Sequence, residues 1–155
     1  MANSSLQIIA IIITTVTLLA CDRQESKVSV PRSPPVTKMI VRDTQIGSGA
    51  EATNHSSVVV HYTGWLYDPT AEKMRGKQFD SSRGDDLNKP QPFQFVIGAH
   101  QVIPGWDQGI MGMKVGGTRV LIIPSDLAYG ERGAGQGLIP KNATLIFDID
   151  LLVVK

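Results

Sequence analysis

Most of the groupings that usually carry chemistry are missing from this chain. It has one cysteine, Cys21, and three histidines, His55, His61 and His100. The histidines have no metal-ligand spacing, and Cys21 lies ahead of the globular stretch, outside the reach of a thiol–imidazole pair. His61 sits on a β-branched run beside Tyr62 and reads as a hydrogen-bonded structural histidine. The run GERGAGQG at 130–137 has the composition of a phosphate loop, but a strand pattern follows it, not a helix, and no lysine stands where one is required. What remains is a carboxylate with two hydroxyls, Asp80-Ser81-Ser82, and nine aromatic residues: two Trp, three Tyr and four Phe. Both have a purely structural reading. Asp80 can bond its own backbone in a turn, and aromatics on strands are usually core.

Elements that would position such groups are legible from the pattern. With 155 residues, a net charge of +1 and mixed charges, one domain is expected and nucleic acid is not an expected partner. Fifteen glycines and nine prolines call for many turns and a mostly β domain. Residues 38–46 have strand character and end at Gly47-Ser48-Gly49. The run 57–63 alternates, with Val58, Val60 and Tyr62 on one face; 92–97 puts Phe93 and Phe95 on a common face. A further, apolar strand is expected over 116–123. Over 143–153, Leu145, Phe147, Ile149 and Leu151 face one way, and Ile146, Asp148 and Asp150 the other. One short helix is expected over 104–111, with Pro104 in its first turn and Gly112 ending it. The fold class is therefore α+β, an antiparallel sheet covering one helix.

From about Thr37 to Lys155 the chain carries, in order, Val60-His61-Tyr62-Thr63-Gly64, Phe79-Asp80-Ser81-Ser82, Val102-Ile103-Pro104-Gly105-Trp106 and Ala128-Tyr129-Gly130. In these blocks it resembles the FKBP-type peptidyl-prolyl cis-trans isomerases. The resemblance implies a twisted antiparallel β-sheet wrapped around one short α-helix, with an aromatic-lined cleft that takes a proline ring. Six of the nine aromatics match cleft positions: Tyr62, Phe79, Phe93, Trp106, Tyr129 and Phe147. It further implies that Trp106 forms the floor and Val102 and Ile103 the wall, with the Ile103 N–H offered to substrate. Leu138 and Ile139 would close the rim. Asp80, Tyr129, Tyr62 and Phe147 take the catalytic positions, and Phe79, Phe93 and the wall and rim residues bind substrate. No cofactor or metal is implied. The implied partners are proline-containing peptides and the macrolides tacrolimus and rapamycin. A non-catalytic peptide-binding chaperone or adhesin on the same fold is the alternative. Trp65, Tyr67 and Phe95 match no cleft position and read as packing. The loops 67–78, 84–91 and 130–137 are longer than in small members of the family. They leave Arg83 as the nearest basic partner for Asp80, and Gln101 stands where the family often has an acidic residue.

The N-terminus carries a different signal. Residues 8–19, IIAIIITTVTLL, are twelve uncharged apolar or hydroxyl residues. A bilayer span needs about 20, so the run fits the core of a signal peptide better. It ends in Leu18-Leu19-Ala20-Cys21, which is similar to the lipobox of bacterial lipoproteins, where the chain is cut before a cysteine that takes a diacylglycerol. An ordinary secretory signal cut elsewhere is the alternative. The expected organisation is a signal peptide at 1–20, a disordered tether at 21–36 containing Pro31, Pro34 and Pro35, and the isomerase domain at 37–155. The tether is too short for the helical dimerisation module of some envelope relatives, so a monomer is expected. It would be lipid-anchored in the cell envelope, facing the periplasm or the exterior.

Overall fold

The structure, a computed structural model, describes residues 36–84 and 90–155. The expected signal peptide, the tether up to residue 35, Cys21 and the centre of the 84–91 loop lie outside the described residues. Six strands are present among the described residues: β1 (Ile40–Gln45), β2 (Ser57–Tyr67), β3 (Arg75–Ser81), β4 (Phe93–Val96), β5 (Thr118–Ile123) and β6 (Leu145–Val154). The α-helix among them, α1 (Pro104–Ile110), lies between β4 and β5. All strand pairs are antiparallel, in the order β1-β5-β6-β2-β3, and β4 also pairs with β2. This is the expected α+β arrangement.

The long strand β2 positions the site. One of its edges runs along β6. Its other edge is shared: Ser57 to Val60 pair with β4, and Thr63 to Tyr67 pair with β3. Tyr62 sits where the two partners meet. Two features depart from the sequence expectation. β2 continues past Thr63 to Tyr67, and the loop expected over 67–78 contains the start of β3. Gly64 disguises the first, since glycine weakens a strand pattern. Here it is required, because a Cβ at Gly64 would stand 2.7 Å from both Phe147 Cε1 and Phe79 Cζ. The sequence of β3, RGKQFDS, has little strand propensity, and pairing with β2 imposes the extended state despite two bulges.

The core forms where the inner sheet face meets α1. Val58, Val60, Leu121, Ile123, Leu145, Phe147, Ile149 and Leu151 are buried there with Trp106 and Ile110. Gly105 and Gly109, one turn apart, let the helix approach β5 closely. A Cβ at Gly105 would lie 2.4 Å from Ile123 Cγ2, and one at Gly109 would lie 2.6 Å from Leu121 Cδ1. Alanine at Gly105 gains about 1 kcal/mol of helix propensity. The clash is with a fully buried, β-branched side chain that cannot easily turn away, at about 1–3 kcal/mol or more. Gly105→Ala is therefore expected to lower the urea midpoint with an unchanged m-value.

Ile146 keeps the expected alternation of β6 but is buried on the outer face. It is 1% exposed although it points away from the main core, in a row with Trp65 and Ile122. Its neighbours on that outer face, Asp148 and Asp150, remain polar and are paired. Arg75 donates to Asp148 Oδ1 at 2.5 Å and lies 5.1 Å from the Trp65 ring, and Arg83 donates to Asp150.

Candidate active site

Four strands and the helix bring aromatic rings together around one cavity of about 260 Å³. Trp106, on the first turn of α1, is its buried floor. Tyr62 from β2 stands edge-on to it at 5.0 Å between centroids, and Phe147 from β6 at 5.3 Å. Phe79 from β3 packs edge-on against Phe147 at 5.6 Å, and Phe93 from β4 lies 6.1 Å from Tyr62. The edge-to-face arrangement directs ring faces and edges as their quadrupoles prefer. Val102 and Ile103, on the connection into α1, also line it with Asp80 and Tyr129, and Gln101 joins them.

The connection from β4 to α1 is held in place. The Asp107 carboxylate accepts the Gly98 N–H at 2.8 Å, and Gln101 Oε1 accepts the Val96 N–H at 2.9 Å. Ile103 is the extended residue that starts the helix, with its carbonyl accepting the Trp106 N–H at 2.9 Å. The fixed φ of Pro104 suits the first helical position. The Ile103 N–H has no acceptor among the described residues, so a backbone donor stands free at the wall of the cavity.

Asp80 is exposed at the rim and accepts the Tyr62 hydroxyl on Oδ2 at 2.6 Å. That bond is short, as expected when the acceptor is charged. Burial, reinforced by the bond to Asp80 and its charge, pushes the Tyr62 hydroxyl well above the ordinary tyrosine value. Burial and then the Asp80 charge also raise Tyr129. The Tyr129 hydroxyl has no hydrogen-bond partner among the described residues. Both phenols therefore stay neutral donors at physiological pH. Folding favours their protonated forms, so their contribution to stability is present below the ordinary tyrosine value of about 10 and is lost as pH rises through the raised values. In a tyrosinate absorbance titration of the folded protein, Tyr62→Phe is expected to remove a component that ionises above the ordinary tyrosine range.

Two expectations are corrected, and a third reading holds. Arg83 does not approach Asp80: its guanidinium is taken by Asp150 on the outer sheet face. Leu138 and Ile139 do not line the cavity. Ile139 is turned inward by a two-bond bridge with Ala134 and is 5% exposed in the core, while Leu138 is 39% exposed outside the lining. Phe95, read as packing, is buried and stacks on Phe93 at 5.8 Å while touching Trp106 at 5.7 Å, so it supports the cleft from behind. Gln101, which stands where the family often has an acidic residue, is a lining residue directly before Val102-Ile103.

A twisted antiparallel sheet on one short helix, with an aromatic cavity between them, defines the FKBP-type architecture. The model of the family described as FKBP-type peptidyl-prolyl cis-trans isomerase matches residues 49–152, and the chain belongs to that family. It is a peptidyl-prolyl cis-trans isomerase, and a non-catalytic role on the same fold is not favoured. It is 49% identical over 116 residues to the "FK506-binding protein" of Neisseria meningitidis serogroup A, covering 75% of this chain and 95% of that one. It is 44% identical over 131 residues to the "FK506-binding protein" of Streptomyces anulatus, covering 84% and 98%. The crystal structure of AtFKBP13 superposes with a TM-score of 0.63 at 39% identity, covering 76% of this chain and 93% of that chain.

Proposed function

We propose that the cleft isomerises X-Pro bonds by favouring the twisted amide, in proteins folding outside the cytoplasm. The carrying observation is the combination of donors around the aromatic cavity: the Tyr62–Asp80 pair, the free Ile103 N–H and the unpartnered Tyr129 hydroxyl. Amide resonance sets a rotation barrier of about 18–20 kcal/mol. Rotation breaks that resonance without breaking a bond, so catalysis requires only that the site bind the twisted form better than either planar one. Trp106, Phe79, Phe93 and Phe147 hold the proline ring and strip water from the carbonyl, whose hydration favours the polar planar state. The Ile103 N–H holds one substrate carbonyl. The Tyr129 hydroxyl and the field of Asp80, relayed by Tyr62, favour the carbonyl geometry of the twisted state. Each tenfold in rate takes about 1.4 kcal/mol, so a few such contacts suffice.

Asp80→Ala and Tyr129→Phe are each expected to lower kcat/KM for an Ala-Leu-Pro-Phe peptide by about three- to tenfold, the worth of one hydrogen bond. Both residues are exposed, so thermal midpoints should move little. Unchanged rates in both variants overturn the assignment. The names of the bacterial relatives support binding of tacrolimus (FK506) in the same cavity, the family resemblance adds rapamycin, and competitive inhibition of the peptide reaction tests both.

Location rests on the N-terminal sequence. The uncharged run at 8–19 and Leu18-Leu19-Ala20-Cys21 support cleavage before Cys21 and its lipidation, with residues 21–36 as the tether of a monomeric domain at 37–155. Two or more acyl chains give stable anchoring where one does not. Mass spectrometry of the mature N-terminus decides: a diacylglyceryl Cys21 supports the anchor, and a free thiol or an intact residue 1 overturns it.

A further inference from the structure

We propose that Ser82, backed by His61, is a positioning residue for isomerisation, because it fixes Tyr62 where its hydroxyl meets Asp80. This rests on the reading that the Tyr62–Asp80 pair serves catalysis.

Ser82 follows the end of β3, two residues after Asp80, and is 8% exposed. It grips Tyr62 by both backbone groups. The Ser82 N–H donates to the Tyr62 carbonyl at 3.0 Å, and Ser82 Oγ accepts the Tyr62 N–H at 2.8 Å. These bonds carry the β2–β3 connection past the point where β2 changes partner from β4 to β3. Without them Tyr62 would sit at a break in the ladder. The Ser82 carbonyl accepts the Gln91 N–H at 2.9 Å, which also fixes the chain two residues before Phe93. One buried serine thus ties together the strand of Tyr62, the strand of Asp80 and the approach to Phe93.

His61 completes the clasp from the outer sheet face. Its Nδ1 lies 2.9 Å from Ser82 Oγ, and the Tyr62 carbonyl lies 3.3 Å from the same oxygen. A serine hydroxyl has one hydrogen and two lone pairs. When Nδ1 is unprotonated, Oγ–H donates to it. When Nδ1 carries a hydrogen, it donates to Oγ, and the hydroxyl hydrogen turns to the Tyr62 carbonyl. Oγ still accepts the Tyr62 N–H in both states. His61 is thereby a second holder of Tyr62, although its ring points away from the cleft.

The test is a double-mutant cycle on the full chain, read as kcat/KM for a proline-containing peptide. Ser82→Ala is expected to lower kcat/KM about tenfold, and His61→Ala about threefold, with the loss mainly in kcat. In a Tyr62→Phe background both losses should largely vanish, since the hydroxyl they position is gone. Ser82→Ala should also shift the Tyr62 component of the tyrosinate titration. If Ser82→Ala does not fold, the His61→Ala arm reads the same coupling. Losses that persist undiminished with Tyr62→Phe, or variants that lower only the thermal midpoint, overturn the positioning role while leaving the Tyr62–Asp80 reading intact. If Tyr62→Phe alone leaves kcat/KM unchanged, the underlying reading fails, and this proposal with it.

Discussion

Trp106→Ala is expected to lower kcat/KM by about 10–100-fold and stability by about 3–5 kcal/mol, because one ring is both the floor of the cleft and the centre of the core. Trp106 is 4% exposed and lies within 6.1 Å of Tyr62, Phe93, Phe95 and Phe147, centroid to centroid. Alanine leaves those four rings facing a void that neighbouring strands, fixed by their ladders, cannot close. The loss is a large share of the roughly 5–15 kcal/mol that keeps a domain folded, so activity must be read well below the variant's thermal midpoint. Trp106→Phe separates the two effects. The indole Nε1 is buried without a partner among the described residues, so phenylalanine removes no hydrogen bond and should cost less than alanine. The chain's only other tryptophan is Trp65, on the outer face. A fluorescence change on macrolide binding should therefore disappear in Trp106→Phe. If it persists, or if Trp106→Ala binds and turns over as the parent does, Trp106 is not the floor.

Much of this site was readable because the family blocks and the strand periods coincide. In β6 the alternation alone places Phe147 inward, and Pro104 and Gly112 bracket the helix that carries Trp106. What the sequence hid depends on contacts between distant segments. Strand β3 owes its extended state to β2, not to its own residues. Arg83 stands three positions from Asp80 along the chain, but β2 lies between β3 and β6, and the long side chain spans it to reach Asp150. Leu138 and Ile139 follow a run with positive φ at Gly133, Gly135, Gln136 and Gly137, and no hydrophobic period survives such turns. Ser82 shows the same limit: its order after Asp80 is visible, but its grip on Tyr62 is not.

Arg119 is the largest effect that periodicity conceals, since it sits in a strand read as apolar. Its guanidinium is buried, and four of its five N–H groups are paired, from three directions. Nε and Nη2 form a fork on Asp43 of β1 at 2.6 and 3.0 Å, and Nη1 donates to the Gly109 and Met111 carbonyls at 2.7 and 3.0 Å. One side chain thus joins β1 to β5 and satisfies carbonyls at the end of α1, which otherwise lack partners. Arg119→Met is expected to cost about 3 kcal/mol, mostly from carbonyls left unpaired and the rest from the ion pair. The pair's share is limited because the Asp43 side chain is 38% exposed and stays hydrated when its partner is lost. Arg119→Lys should recover little, since a single ammonium cannot serve a carboxylate fork and two carbonyls at once. The hydrogen bond to Arg119 holds the Asp43 carboxyl below its usual range. The pair's contribution is therefore present above the ordinary carboxylate value of about 3.9 and is lost as pH falls through the lowered one. Urea unfolding should show the gap between parent and Arg119→Met narrowing only below about pH 4, and only slightly. The larger part, from the helix carbonyls, should persist at every pH where the protein folds. A gap that closes completely in acid would mean that the ion pair, not the capping of α1, is the greater part of what Arg119 contributes.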